Sequence, residues 1–252
     1  MLVVVSPAKR LDETPVPSTD GTAPRFADAT TRLVETARAL DAEALAKLMH
    51  ISPKLAALNV ARFASIGSGE GAKQAVEIFA GDTYTGLEAC SLDPDEMDYA
   101  QHHLRILSGL YGLLRPRDVI EPHRLEMGSR LANVRGRDLY AFWGDRIAKA
   151  LGTDAAAAGT DVLVNCASVE YFTAADRPAL GLKVVTPSFL EDRPEGPKVV
   201  SFWAKQARGA MARFIVRNRL RDPAALAEFD TGGYRFQPAM STPERPVFLR
   251  SA

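Results

Sequence analysis

Lys9 stands in the segment SPAKRLD, Ser6–Asp12, directly behind the β-branched run Leu2–Val5. A lysine delivered at the end of a strand lies where open sheets present their functional groups. Two chemical roles are open to it. It serves as a phosphate contact, or as a nucleophile if burial or a neighbouring cation depresses its pKa; a solvated turn lysine is the ordinary reading. The segment NCASVEYF, Asn165–Phe172, repeats the construction: an apolar run, then Asn165, Ser168, Glu170 and Tyr171. Glu170 is a candidate general acid or base, or a group that orients Lys9. Ser168 and Glu170 also suit the opening of a short helix, where they would only cap it. YAFWGD, Tyr140–Asp145, offers Asp145 as another carboxylate, beside aromatics that read equally well as core.

A denser mixture occupies Ser108–Gly128, SGLYGLLRPRDVIEPHRLEMG. Gly109 and Gly112 permit positive φ and close backbone approach. A helix start after them would present free N–H groups to an anion, with Arg115 and Arg117 supplying charge alongside. Arg124 and Glu126 of RLEMG form a second arm. The competing reading is an awkward turn with no ligand.

Charge is segregated along the chain. Lys198, Lys205, Arg208, Arg213, Arg217, Arg219 and Arg221 follow one another with no Asp or Glu between them. From Gln74 to Leu104 the pattern reverses: Glu77, Asp82, Glu88, Asp93, Asp95, Glu96 and Asp98, with no Lys or Arg. The formal net charge of +0 hides this asymmetry. Such blocks suggest a charged partner. Lys205 and Arg208 share helical spacing, and Gly209 beside them would allow a phosphate backbone to approach. The plainer alternative is that the acidic and basic segments pair with each other.

Several chemistries are excluded. Cys90 and Cys166 are the only cysteines and have no CxxC partner, which suits a reducing compartment. His50, His102, His103 and His123 show no HxxxH, HxH or HExxH spacing, so no zinc site is expected. Phosphate-loop, dinucleotide-loop and serine-hydrolase motifs are absent. No secretory leader is expected from MLVVVSPAK, and no apolar run approaches the roughly 20 residues of a membrane helix. A cytoplasmic protein without cofactor, metal or membrane is the expectation.

The elements that must position these groups follow from periodicity and capping. Leu2–Val5 reads as a buried strand and the proline-rich 12–25 as a surface loop. Helices are predicted over Ala27–Leu40, Asp41–Met49 and Ser52–Ala64, the last with Pro53 at its first turn. Gly67–Gly71 is a loop, Ala72–Phe79 a short helix, and GDTYTGL a turn. Asp93, Pro94 and Glu96 open a helix with a capping box, running to about Leu107. Leu139–Leu151 is an amphipathic helix. DVLVNCAS, LKVVTPSFL and PKVVSFWA read as strands, Lys205–Arg221 as a long basic helix, and Pro223–Phe229 as a short one. GGYRFQPAM and PVFLR form a terminal hairpin. Helices then dominate the first 150 residues and strands the remainder. A lone strand at residue 1 must join the later sheet to satisfy its backbone, which makes a single α+β domain with a mixed sheet the expected class.

SPAK, GDTYTGL, HLRILSGLYGLLRP, RLEMG, FWGD, NCASVEYF and SFWAKQARGAMARFI stand in this order along the chain. Together they resemble the YaaA family of peroxide-stress proteins, from Met1 to about Phe248. The resemblance implies limiting hydroperoxide damage by lowering the free iron that drives oxidation of DNA and protein. It also implies a compact α+β fold, a positively charged cleft, a helix-hairpin-helix similar to that of DNA glycosylases, and no firmly assigned enzymatic activity. Carried over, the DNA-binding residues would be Lys9, Arg105, Gly109, Tyr111, Gly112, Arg115, Arg124, Lys205 and Arg208. Glu126, Asp145, Asn165, Ser168 and Glu170 would share the site. One departure stands out. The hairpin normally turns through Gly-hydrophobic-Gly, whereas Gly109-Leu110-Tyr111-Gly112 has one residue more, and Pro116 shortens the second helix. The expected function is DNA binding with low sequence specificity, without an obligate protein partner. The alternative is a glycosylase- or lyase-type enzyme using Lys9 with Glu170 or Asp145. Direct iron binding finds almost no support in the ligand spacing.

Overall fold

A computed structural model describes residues 1–16 and 20–251. Its strands are β1 (Leu2–Val5), β2 (Lys73–Gln74), β3 (Leu104–Ser108), β4 (Gly112–Leu114), β5 (Val119–Ile120), β6 (Val162–Cys166), β7 (Lys183–Val185), β8 (Ser188–Glu191), β9 (Tyr234–Phe236) and β10 (Val247–Arg250). Its helices are α1 (Ala27–Arg38), α2 (Ala42–Met49), α3 (Pro53–Ser65), α4 (Ala75–Ile78), α5 (Asp82–Leu87), α6 (Pro94–His103), α7 (Leu139–Trp143), α8 (Arg146–Ala157), α9 (Val169–Phe172) and α10 (Ser201–Arg217).

The N-terminal strand is the centre of the molecule. The main sheet has the order β4-β3-β1-β6-β7. β1 pairs in parallel with β3 on one side, Val3 opposite Leu104, and with β6 on the other, Val3 opposite Val164. Every residue of β1, β3 and β6 is buried. Parallel strands covered on both faces are apolar throughout, and Leu2–Val5 has that composition. Only β4 runs antiparallel, at the edge. A smaller sheet, β8-β10-β9, closes the C-terminal half. Buried Glu191 holds it, accepting from Tyr234 Oη at 2.5 Å and from Arg250 Nη2 at 2.7 Å. The mixed sheets and flanking helices are the α+β class expected from the sequence.

Signals written in neighbouring residues are realised in the fold. Asp41 caps α2, Ser52 caps α3 with Pro53 behind it, and Asp93 with Glu96 forms a full capping box on α6. β9 and β10 pair antiparallel as the terminal hairpin. The described part of the 12–25 loop is exposed or half-buried, and residues 17–19 lie outside the described residues.

Other expectations are corrected. α6 ends at His103, and Leu104–Ser108 is a core strand, because pairing with β1 outweighs continuing the helix. The first 150 residues therefore supply two strands of the main sheet besides β1. Ala72–Phe79 divides into β2 and α4, and Leu139–Leu151 into α7 and α8 at Gly144, whose φ is 49°. LKVVTPSFL splits between β7 and β8 in different sheets. PKVVSFWA is not a strand; Lys198 makes an isolated bridge to Glu191 and Ser201 starts α10. GDTYTGL is the helix α5, packed along α10.

The helix-hairpin-helix is absent from Ser108–Gly128. Gly109–Tyr111 is the turn of the β3–β4 hairpin, with Ser108 opposite Gly112. Both glycines are explained by packing. A Cβ on Gly112, at φ 73°, would lie 2.7 Å from the Trp143 ring, and one on Gly109 would strike the Leu125 carbonyl. Trp143 Nε1 donates to Gly109 O at 3.0 Å. The tight-turn reading accounts for Ser108–Gly112.

Candidate functional site

β1 and β6 end side by side, with Val5 in register with Cys166. Beyond them the chain departs toward opposite sides of the sheet, since β3 follows β1 on one side and β7 follows β6 on the other. Divergence of this kind leaves a crevice outside the carboxyl ends of the strands, where open sheets bind ligands. A cleft of about 460 Å³ occupies this place. Lys9, Ser168, Glu170, Lys205 and Arg208 line it together. Arg10, Asp82 and Thr83 complete its rim, so cations outnumber carboxylates.

The strand ends are tied by hydroxyls. Ser6 Oγ accepts from Ser168 N at 2.9 Å, and Tyr84 Oη donates to Ser6 O at 3.2 Å. Ser168 also caps α9 by accepting from Tyr171 N, which is its ordinary structural role. Glu170 Oε1 accepts from Gly128 N at 2.9 Å, anchoring the RLEMG arm to α9. Cys166 lies on the cleft floor, and burial pushes its thiol up to about 12. Burial also lowers the pKa of half-buried Arg208 beside it.

A narrow recess adjoins the cleft and shares Lys9 and Tyr171 with it. Arg124, Glu126 and Gly109 line this recess. Glu126 Oε1 accepts from Arg124 Nε at 2.8 Å and lies 3.6 Å from Lys9 Nζ. Its Oε2 is buried with no hydrogen-bond partner among the described residues. Tyr171 stays a phenol: burial raises its pKa, reinforced by Glu170 and Glu126.

The remaining expected residues lie elsewhere. Arg105 is buried and donates to Asp154 Oδ2 at 2.5 Å, deep under the start of β3. Arg115 is bound to buried Asp118 at 2.8 Å. Tyr111 is buried edge-on to His123, and burial pushes its pKa to about 12. Asp145 precedes α8, 4.0 Å from Lys149 and outside the cleft. Asn165 is buried, its Oδ1 accepting from Ala167 N at 3.0 Å to shape the end of β6. Gly112 packs on Trp143. Charge and residue type are visible in a sequence; burial against a distant partner is not.

Much of the basic run is also committed internally. Arg217 Nε donates to Glu96 Oε1 at 2.9 Å, and Arg213 Nη1 to Glu88 O at 2.9 Å. The acidic and basic segments thus pair in part, through Arg217–Glu96, Arg213–Glu88 and Lys205–Asp82, while Arg219 and Arg221 have no carboxylate partner among the described residues. Gly209 faces α5 rather than the cleft. Arg208 escapes this pairing: it has no carboxylate or hydrogen-bond partner among the described residues and lines the cleft. Lys205, 53% exposed, is only 4.0 Å from Asp82. Arg10, Asp82 and Thr83 carry no individual signal in the sequence, although GDTYTGL, which holds two of them, is among the ordered motifs.

A family profile described as "Peroxide stress protein YaaA" matches residues 1–240. A UPF0246 protein of Cereibacter sphaeroides (strain KD131) is 59% identical over 256 residues, covering 100% of both chains. That of Ruegeria pomeroyi is 57% identical, covering 99% of this chain and 98% of its own. That of Dinoroseobacter shibae is 59% identical, covering 99% and 95%.

Proposed function

The chain belongs to the YaaA family of peroxide stress proteins, and from that premise we propose that it holds DNA by its phosphates in the Lys9–Lys205–Arg208 cleft and so limits iron-driven oxidation. The observation that carries this reading is Arg208, a half-buried guanidinium facing an open cleft with no partner of its own among the described residues. An uncompensated charge at a partly desolvated position is costly, and a phosphate group, with two non-bridging oxygens, offers the bidentate partner it lacks. Lys205 and Lys9 extend the positive surface on either side. Contacts to the backbone alone carry no sequence information, so specificity is low.

Fluorescence anisotropy with labelled duplex and locally opened DNA across a salt series tests the reading. Three phosphate contacts give a slope of log K on log salt near −3, from about −0.9 per contact. Arg208→Ala weakens binding and flattens the slope, whereas Arg217→Ala, which removes the partner of Glu96, changes little. Binding that is flat with salt, or identical in Arg208→Ala, contradicts it.

One observation favours a second, lyase-type reading. Lys9 lies 3.6 Å from Glu126, whose other oxygen is unpartnered among the described residues. Lys9 is 70% exposed and lies beside a carboxylate, not in the buried setting that activates a nucleophilic lysine. Glu126 would be its partner in place of Asp145. Borohydride trapping on abasic DNA tests this; no Lys9 adduct ends it.

A further inference from the structure

Between α1 and α8 lies a groove of about 820 Å³ that shares no lining residue with the Lys9 cleft. Its lining carries five cations, Arg25, Arg32, Arg135, Arg146 and Lys149, against a single carboxylate, Asp28. Arg25 pairs with Asp154, a carboxylate it shares with Arg105. Among the described residues, Lys149 has only the exposed Asp145 as a carboxylate partner, at 4.0 Å. Arg32, Arg135 and Arg146 have no carboxylate partner among the described residues.

Arg135 is held rather than free. Arg135 sits 4.9 Å above the centroid of the Phe142 ring and donates from Nη1 to Phe142 O at 3.2 Å. Arg146 lies 6.0 Å from the same centroid. Arg135 and Arg146 thus bring two positive charges to one buried ring. The wall of the groove is apolar: Phe26, Ala27, Ala29 and Ala150. Phe26 opens α1 without a side-chain cap, so the positive end of that helix dipole adds to the field there.

We propose that this groove is a binding site for a nucleoside polyphosphate. Its volume is in the range of small-ligand sites, roughly 300–1,000 Å³. Phosphates joined through shared oxygens carry denser charge than phosphates separated by sugars along a nucleic-acid strand. Clustered guanidiniums, three of them without a carboxylate partner among the described residues, match the denser arrangement and are suited to bidentate phosphate contacts. The apolar wall beside Phe26 receives the base. The inference uses residues that the DNA reading does not, so the two stand or fall separately.

Isothermal titration calorimetry of the full chain with ATP tests it, with adenosine and inorganic triphosphate as comparison probes. Saturable ATP binding is expected, weakened about tenfold or more in Arg32→Ala/Arg146→Ala, as loss of charge-assisted contacts predicts, and unchanged in Arg208→Ala. Triphosphate is expected to bind more weakly than ATP, and adenosine more weakly still. Arg32 is exposed, so Arg32→Glu alone gives the same readout if the double variant misfolds. No heat with ATP overturns the proposal, as does triphosphate binding as tightly as ATP. ATP binding abolished by Arg208→Ala moves the site to the Lys9 cleft and also overturns it. Loss of duplex DNA binding in Arg32→Ala/Arg146→Ala without any ATP binding in the parent overturns it in favour of a nucleic-acid surface.

Discussion

Gly86 of α5 and Gly209 of α10 pack reciprocally, each against the backbone of the other helix. A Cβ on Gly209 would overlap Thr83 O and lie 2.8 Å from Leu87 N; one on Gly86 would overlap Gln206 O and lie 2.9 Å from Ala210 N. This contact sets the depth at which α10 presents Lys205 and Arg208 beside Asp82 and Thr83.

Gly209→Ala therefore destabilises the protein although alanine is the better helix former. The propensity gain is about 1 kcal/mol. The overlap is with backbone, which cannot rotate away, and overpacking typically costs about 1–3 kcal/mol or more. Urea denaturation is expected to show a lower midpoint for Gly209→Ala and for Gly86→Ala. An unchanged or raised midpoint in both would refute the close-packing account.

Asp154 is shared by two arginines, Arg105 and Arg25. Removing the carboxylate leaves Arg105 buried and unpaired, the situation that costs about 3–5 kcal/mol. Asp154→Ala is expected to lower stability by that order, and Arg25→Ala by much less, because Arg25 is more exposed and Arg105 keeps its partner. Chemical denaturation of both variants checks the ranking. Equal effects would mean that the Arg105–Asp154 pair is not the one that matters.

What a sequence discloses here divides along contact distance. Asp41, Ser52 and the Asp93–Glu96 box are legible because caps are written in adjacent residues. α5 reads as a turn because Gly86 counts as a breaker until its partner Gly209 is known. β3 is hidden behind the strong helix start at Asp93, and only pairing with β1 decides it. The gathering of Lys9, Glu170, Lys205 and Arg208 can be anticipated from strand-end positions and the ordered motifs. Burial of Arg105 against Asp154 cannot, since both residues look like ordinary surface charges in isolation.

The cysteines should differ sharply in reactivity. Cys90 is exposed, whereas Cys166 is buried with its thiol pushed up to about 12. The thiolate is the reactive form, so Cys166 is inert near neutral pH while the fold is intact. Maleimide labelling followed by intact-mass spectrometry is expected to give one adduct on the native protein and two after denaturation. Native labelling at Cys166 would show the cleft floor to be open.

His123 gives the stability a specific dependence on acid. It is packed between Phe79 and Tyr111, its Nδ1 2.9 Å from Glu121 O, and burial lowers its pKa from 6.5 to about 4. The folded state therefore favours neutral imidazole. Above pH 6.5 neither state binds the proton and the residue adds no pH dependence. As pH falls from about 6.5 toward 4 the unfolded chain takes up a proton that the folded chain refuses, so stability declines. A shift of this size corresponds to roughly 3 kcal/mol across that window. His123→Phe keeps an aromatic ring between Phe79 and Tyr111 and removes the titration. Urea denaturation at pH 7 and pH 4.5 is expected to show a smaller acid loss in the variant than in the parent. Equal losses would show that His123 is readily protonated in the folded protein.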